Sequence, residues 1–315
     1  MLVVLRRFFL TMLQISLIIL AVLTLLFFLQ RLSGDPAAVL VGHNASPELI
    51  AAVRAEMGLN DPLPQQYAVF MSRALQLDFG ESTRFQAPAL DLVLQRFPNS
   101  LLLALSALAL AVLVGLPLGI YAAIYHDRPD GKVINMLTGV LQAMPSFWLG
   151  LLLLLIFSVH LRWVGSVAHL EDNLLKRMAL PTITLAAFYT ARLIRMVRSG
   201  LIETLHQPYV LTAHSKGLMP RNVLFIHALK NALLPIIALV TLDLSLMIGG
   251  SIIVETLFSY SGMGEQMVRA IFNRDYALVQ ASVFVIATFV VCINMASNAL
   301  YGFVDPRVRE GRVTA

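Results

Sequence analysis

The sequence predicts an all-α, polytopic membrane protein, and three observations carry that prediction. First, 58% of its 315 residues are hydrophobic and only 13% are charged, whereas a soluble domain carries about 25% charged residues. A soluble fold this apolar could not cover its own surface; a bilayer accepts such a surface. Second, uninterrupted apolar runs long enough to cross about 30 Å of hydrocarbon recur along the chain. Third, Lys and Arg are unevenly distributed between the segments that join those runs.

Taken in order, Arg6 and Arg7 precede a run from Phe8 to about Leu29. That run is too long for the apolar core of a signal peptide and lacks a small-residue cleavage site, so it reads as an uncleaved first span. Further runs cover about Ser100–Tyr125, Val133–Leu161, Met178–Val197, Ala232–Val254 and Leu278–Val304. Six spans place both ends on one side. Pro117 and Pro145 fall inside spans two and three, a break that membrane helices tolerate when neighbours satisfy the freed backbone groups. If the termini are inside, Lys and Arg are roughly twice as dense in the internal segments as in the external ones, the asymmetry expected of cytoplasmic loops. Both termini are therefore expected in the cytoplasm.

The resulting organisation is a first transmembrane helix with its cytoplasmic N-terminus over 1–30 and an external helical insertion over 31–98. A five-helix core follows over 99–304, with a long internal loop at 199–230, and a cytoplasmic tail occupies 305–315. Within the insertion, Ser46-Pro47-Glu48 is a helix start, with Pro at the first helical position. Ile50, Val53 and Met57 share one face, and Gly58 is a stop. Tyr67–Leu77 carries a second helical stripe. No internal repeat supports an inverted-repeat transporter.

The loop at 199–230 holds a short helix. Pro208 suits its first turn and Gly217 its C-terminal stop. Tyr209, Ala213 and Lys216 are expected on one side, and Val210 and Leu211 on another. Two turns gain little from their own hydrogen bonds, so this helix needs something to pack against. Lipid headgroups and the groove of a partner protein both meet that need.

Other chemistry is sparse. Cys292, in an apolar run, reads as a small buried hydrophobe, and one cysteine builds neither a disulfide framework nor a thiolate metal site. The net charge of +5 fits cytoplasmic loops, and no stretch is basic enough to argue for nucleic acid. His43, His126, His160, His169, His206, His214 and His227 are scattered, no pair has HExxH spacing, and no metal site is assigned. There is no GxSxG elbow and no Walker A loop to cradle ATP phosphates. Asp243, midway along span five, is too costly to face lipid and is expected toward the interior. Glu255 lies nearer the external end, where a structural hydrogen bond and a gate are both open. Arg192, Arg195 and Arg198 recur at the inner end of span four, as snorkelling side chains that set topology do. Between spans five and six, Gly262-Met263-Gly264 suggests a turn, either re-entrant or a plain connection.

Several stretches, in order and over essentially the whole chain, resemble one family. They are Gly34-Asp35-Pro36, Met57-Gly58-Leu59-Asn60-Asp61-Pro62-Leu63 with Gln66-Tyr67, and Asp78-Phe79-Gly80-Glu81-Ser82. They continue with Gly115-Leu116-Pro117-Leu118-Gly119, Met144-Pro145-Ser146-Phe147-Trp148-Leu149-Gly150, Tyr209–Gly217 and His227-Ala228-Leu229-Lys230-Asn231-Ala232-Leu233-Leu234-Pro235. The last are Glu255-Thr256-Leu257-Phe258, Asn273-Arg274-Asp275-Tyr276 and Asp305-Pro306-Arg307-Val308-Arg309. Together they resemble binding-protein-dependent ABC importer permeases of the dipeptide, oligopeptide and nickel type, with a type I fold in the bacterial inner membrane.

That resemblance implies a non-catalytic pore subunit. It works with a second homologous permease, two ABC ATPase subunits and a periplasmic substrate-binding protein. ATP and Mg are held by the ATPases, and no cofactor by this chain. Solutes of the family include peptides, nickel and metal–chelator complexes. The resemblance makes Tyr209, Val210, Thr212, Ala213, Lys216, Gly217 and Leu218 the coupling helix that meets an ATPase. It sets Asn273, Arg274, Asp275 and Tyr276 near the periplasmic mouth. Leu211 stands where the loop signature usually opens with an acidic residue, so no salt bridge from that position is implied. The rival reading is a stand-alone channel or secondary transporter.

Overall fold

The structure, a computed structural model, describes residues 2–32, 36–41, 46–163 and 174–304. Gly34, Asp35, His43, His169 and the 305–315 tail, with its Asp305–Arg309 stretch, lie outside the described residues. Those described are helical almost throughout, with no strand among them. Among the described residues four helices are long and apolar enough to cross a membrane. In lipid, a spanning backbone must satisfy its own polar groups, which an apolar run does by becoming a helix.

Among the described residues thirteen α-helices follow one another: α1 (Leu2–Leu32), α2 (Pro36–Val41), α3 (Pro47–Glu56), α4 (Leu63–Leu75), α5 (Ala89–Ile124), α6 (Pro129–Ala143), α7 (Ser146–Leu153), α8 (Leu174–Leu205), α9 (Pro208–Ser215), α10 (Pro220–Asn222), α11 (Leu229–Phe258), α12 (Met263–Phe272) and α13 (Tyr276–Val304). α7 continues into a π-helical stretch, Leu154–His160. The third expected span is not one straight helix: α6 and α7 meet at a bend of 102°. Pro145 explains the break, because its ring disfavours the helical conformation at Met144, which is extended at ψ 126. Counting that pair as one span gives five. The fourth expected span lies inside α8, which is long enough but carries Lys176, Arg177, Arg192, Arg195, Arg198 and Glu203 and falls short of the same apolarity. The segment after α11 also differs from expectation: it is a ten-residue helix, α12, that buries Met263, Gly264, Gln266 and Ala270. Cys292 is exposed rather than buried.

The chain forms two compact units. The first comprises residues 1–99 and 261–291. Its core joins Leu23, Ala74, Phe79, Val93, Met263, Ala270, Leu278 and Ala281. The sequence supplies the helix ends directly. Ser46 Oγ accepts the Leu49 N–H at 3.2 Å to cap α3. Gly58, at φ +65, turns the chain out of it, with Leu59 N–H bonded to the Arg54 carbonyl at 3.0 Å. Gln66 and Tyr67 then pin α4 to α1. Arg31 Nη2 donates to Gln66 Oε1 at 2.5 Å, Tyr67 Oη meets Thr24 Oγ1 at 2.8 Å, and the Tyr67 ring lies edge-on to buried Phe27 at 5.2 Å.

The second unit comprises residues 100–260 and 292–315. Its centre is the packing of α5, α8 and α11 around Leu193, Val197 and Ile236. Gly115 and Gly119, one turn apart on α5, explain the Gly-Leu-Pro-Leu-Gly stretch. A Cβ at Gly119 would come within 2.7 Å of Val197 Cβ and 3.1 Å of the Ile194 carbonyl. Two small residues at four-residue spacing thus let helix backbones approach where lipid supplies no hydrophobic drive. Thr241 and Ser297 hydroxyls meet at 2.6 Å between α11 and α13.

Candidate functional site

The short helix of the 199–230 loop is α9. Gln207 enters it in an extended conformation, Pro208 occupies its first turn, and Gly217, at φ +74, closes it. Leu218 N–H reaches the Ala213 carbonyl at 3.4 Å and Gly217 N–H the His214 carbonyl at 2.9 Å, a Schellman end that only a residue tolerant of the left-handed region closes without strain. Val210 and Ala213, three residues apart, are both buried against Ala123, Leu201, Val223, Ala228 and Ala232 of the same chain. The expected grouping of Ala213 with Tyr209 and Lys216 does not hold: Ala213 belongs to the inward face with Val210, because the pair spans the one side that packs on the unit. The outward side carries Tyr209, Leu211, Thr212, Lys216, Gly217 and Leu218. Met219, Phe225 and Ile226 extend this exposed apolar surface. Tyr209 Oη accepts from Asn231 Nδ2 at 3.0 Å, which ties α9 to the start of α11. No Asp or Glu occurs from Thr204 to Leu242, while Lys216, Arg221 and Lys230 do, so this surface is basic as well as apolar.

Asp243 is 2% exposed, and Arg192 Nη1 donates to its Oδ1 at 2.6 Å. Arg192 is therefore held by a carboxylate rather than snorkelling freely to phosphates. The sequence contained that signal: an acid midway along a span demands a cation, and Arg192 is one of three available on α8. Arg195 Nη1 donates to Gln142 Oε1 at 2.6 Å. Glu255 is wholly buried and accepts from Ser251 Oγ at 2.8 Å, one turn back on α11.

The stretch 273–276 divides by role. Asp275 is buried and caps α13, its Oδ1 accepting the Leu278 N–H at 3.2 Å, while its Oδ2 accepts from Ser82 Oγ at 2.5 Å. Arg274, in the left-handed region at φ 56, and Tyr276 line a pocket of about 300 Å³ with Gln30, Arg31, Arg73 and Gln280. Asn273 is exposed.

Long apolar helices, small-residue helix packing and polar pairs held between helices define a multi-pass α-helical membrane protein. The chain belongs to the family of binding-protein-dependent transport system inner membrane components. The model of that family matches residues 115–310, and the model of its N-terminal part matches residues 1–104. A putative peptide transport system permease protein of Brucella abortus (strain 2308) is 37% identical over 299 residues, covering 93% of this chain and 94% of the relative. A glutathione transport system permease protein of Salmonella typhi is 35% identical over 296 residues, covering 93% and 95%. Among solved structures, an inward-facing methionine ABC transporter matches with a TM-score of 0.57 at 16% identity, over 68% of this chain and 96% of that one; this likeness concerns fold. The protein is thus a non-catalytic permease subunit of a bacterial ABC importer, spans the inner membrane several times, and works with an ATPase and a substrate-binding protein.

Proposed function

We propose that the chain carries short peptides from periplasm to cytoplasm. It would pair with a second homologous permease, with two ATPases bound beneath. The observation that carries this reading is the near full-length similarity to permeases named for peptide and glutathione transport. In this reading the chain crosses the membrane six times, with α8 as the span shielded by its neighbours and both termini in the cytoplasm. The loop of α9 is then cytoplasmic, and its outward side is the coupling surface. Its inner face, Val210 and Ala213, is locked into the second unit, so a displacement of α9 is passed to α5, α8 and α11. ATP and Mg bind the partner ATPases, and closure of those subunits shifts the pore only through its differential affinity for the two pore states. The 273–276 turn sits at the periplasmic side, where the binding protein delivers solute.

The test is uptake by the purified complex in proteoliposomes. ATP-dependent accumulation of a labelled di- or tripeptide, requiring the binding protein, is the expected result. Uptake that proceeds without ATP or ATPase subunits would replace the importer with a channel or secondary transporter.

A further inference from the structure

A cavity of about 320 Å³ opens within the second unit at the break between α6 and α7. Gln142, Met144 and Ser146 line it from the two sides of the break, Leu185, Phe188 and Tyr189 from α8, and Gly250 from α11. Its volume falls within the range of small-ligand sites. Broken helices that line a membrane cavity are where transporters build their solute sites, since irregular backbone is tolerated there and not against lipid.

Three polar groups of this cavity are uncommitted. Tyr189 is 8% exposed, and its hydroxyl makes no hydrogen bond among the described residues. Neither does the Ser146 hydroxyl nor the Gln142 Nε2. The Tyr189 hydroxyl thus faces the cavity with its hydrogen-bonding capacity unused by the protein, free to meet a group that enters. The charges nearby are spent: Arg192 is bonded to Asp243 at 2.6 Å and Arg195 to Gln142 Oε1 at 2.6 Å. What remains is two hydroxyls and an amide N–H over apolar walls, a set suited to neutral carbonyl and amide groups. Gly250 keeps the space open. A Cβ there would stand 3.6 Å from Tyr189 Oη and 3.7 Å from Leu185 Cδ1, so a methyl fits and a larger side chain crowds Tyr189 and Leu185.

We propose that this cavity is a solute site inside the permease, and that Tyr189, Ser146 and Gln142 hold the backbone amide groups of a short peptide in transit. The proposal rests on the peptide-importer reading. It assigns recognition to the main chain of the solute, so the site accepts peptides of varied side chains.

The experiment uses the whole transporter in proteoliposomes and the tripeptide Ala–photo-leucine–Ala as probe. Illumination during ATP-driven uptake is expected to label segments 142–146 or 185–189, with unlabelled trialanine suppressing the label. Tyr189→Phe lowers the labelling yield about three- to tenfold at low peptide, the loss of one hydrogen bond, and Gly250→Val removes it. Label confined to other segments, or a yield unchanged in Tyr189→Phe, overturns the site while leaving the importer reading intact. Wild-type proteoliposomes without ATP-dependent uptake overturn the importer reading and this site with it. Should Gly250→Val fail to assemble, the label map and Tyr189→Phe still decide.

Discussion

Arg192 on α8 and Asp243 on α11 meet at 2.6 Å, with the Asp243 side chain only 3% exposed. The buried carboxylate depends on the half-buried guanidinium that reaches it, because it has no water to turn to. The pair fixes the register of α8 against α11, next to the Gly119–Val197 contact that fixes α8 against α5.

Breaking one side of this pair is therefore worse than removing both. Arg192→Met leaves an unpaired carboxylate and is expected to cost about 3–5 kcal/mol. Arg192→Met with Asp243→Leu should recover most of that loss. Thermal unfolding of the detergent-solubilised protein measures both. A double variant no more stable than Arg192→Met would mean the pair is not coupled.

Much of this was legible in the sequence. Ser46, Gly58, Pro208 and Gly217 fixed helix ends because caps and left-handed turns are local chemistry, and the apolar runs located the helices because lipid leaves them no alternative. What failed was geometry set by neighbours. Pro145 marked a break but not its size, and a two-turn helix has too few residues for periodicity to tell Ala213's face from Lys216's. Arg192 looked like a topology signal because its partner stands 51 residues on. The cavity at Tyr189 had no sequence signal, since it is built by groups from four helices.

Asp275 offers a second test. Its carboxylate serves two clients at once, the first turn of α13 and Ser82 in the turn after α4. Asp275→Ala removes a cap, about 1 kcal/mol, and a buried bond to a charged group, about 1.5–3 kcal/mol. Hydrogen exchange should accelerate at 78–86 and at 276–280 together. Acceleration at 276–280 alone would show that Ser82 does not depend on the carboxylate.

Asp130, at the start of α6, gives a pH dependence. Its side chain is bonded to Tyr121 Oη at 2.5 Å, which holds the carboxyl below its usual range, with the Gly131 N–H adding to the effect. A lowered folded value means the bond stabilises fully above the ordinary carboxylate range and is lost as pH falls through the folded value. Wild type should therefore lose more thermal stability than Tyr121→Phe as pH falls from 6 to 3. Parallel curves for the two proteins would remove the bond from the account.

The two faces of α9 separate folding from docking. Val210 is wholly buried against Leu201 and Val223, whereas Leu211, the next residue, is 57% exposed. Val210→Asp buries a carboxylate with no partner, a loss of several kcal/mol, so the protein should fail to accumulate in the membrane. Leu211→Asp exposes its charge to water, and its stability should stay within about 0.5 kcal/mol of wild type. If the outward side meets the ATPase, Leu211→Asp should fold normally yet lose the ATPase on co-purification. An ATPase retained by Leu211→Asp, and again by Leu218→Asp, would exclude this side of α9 as the contact. The contrast works because neighbouring residues on one helix point to opposite environments, so a folding defect and a docking defect do not masquerade as each other.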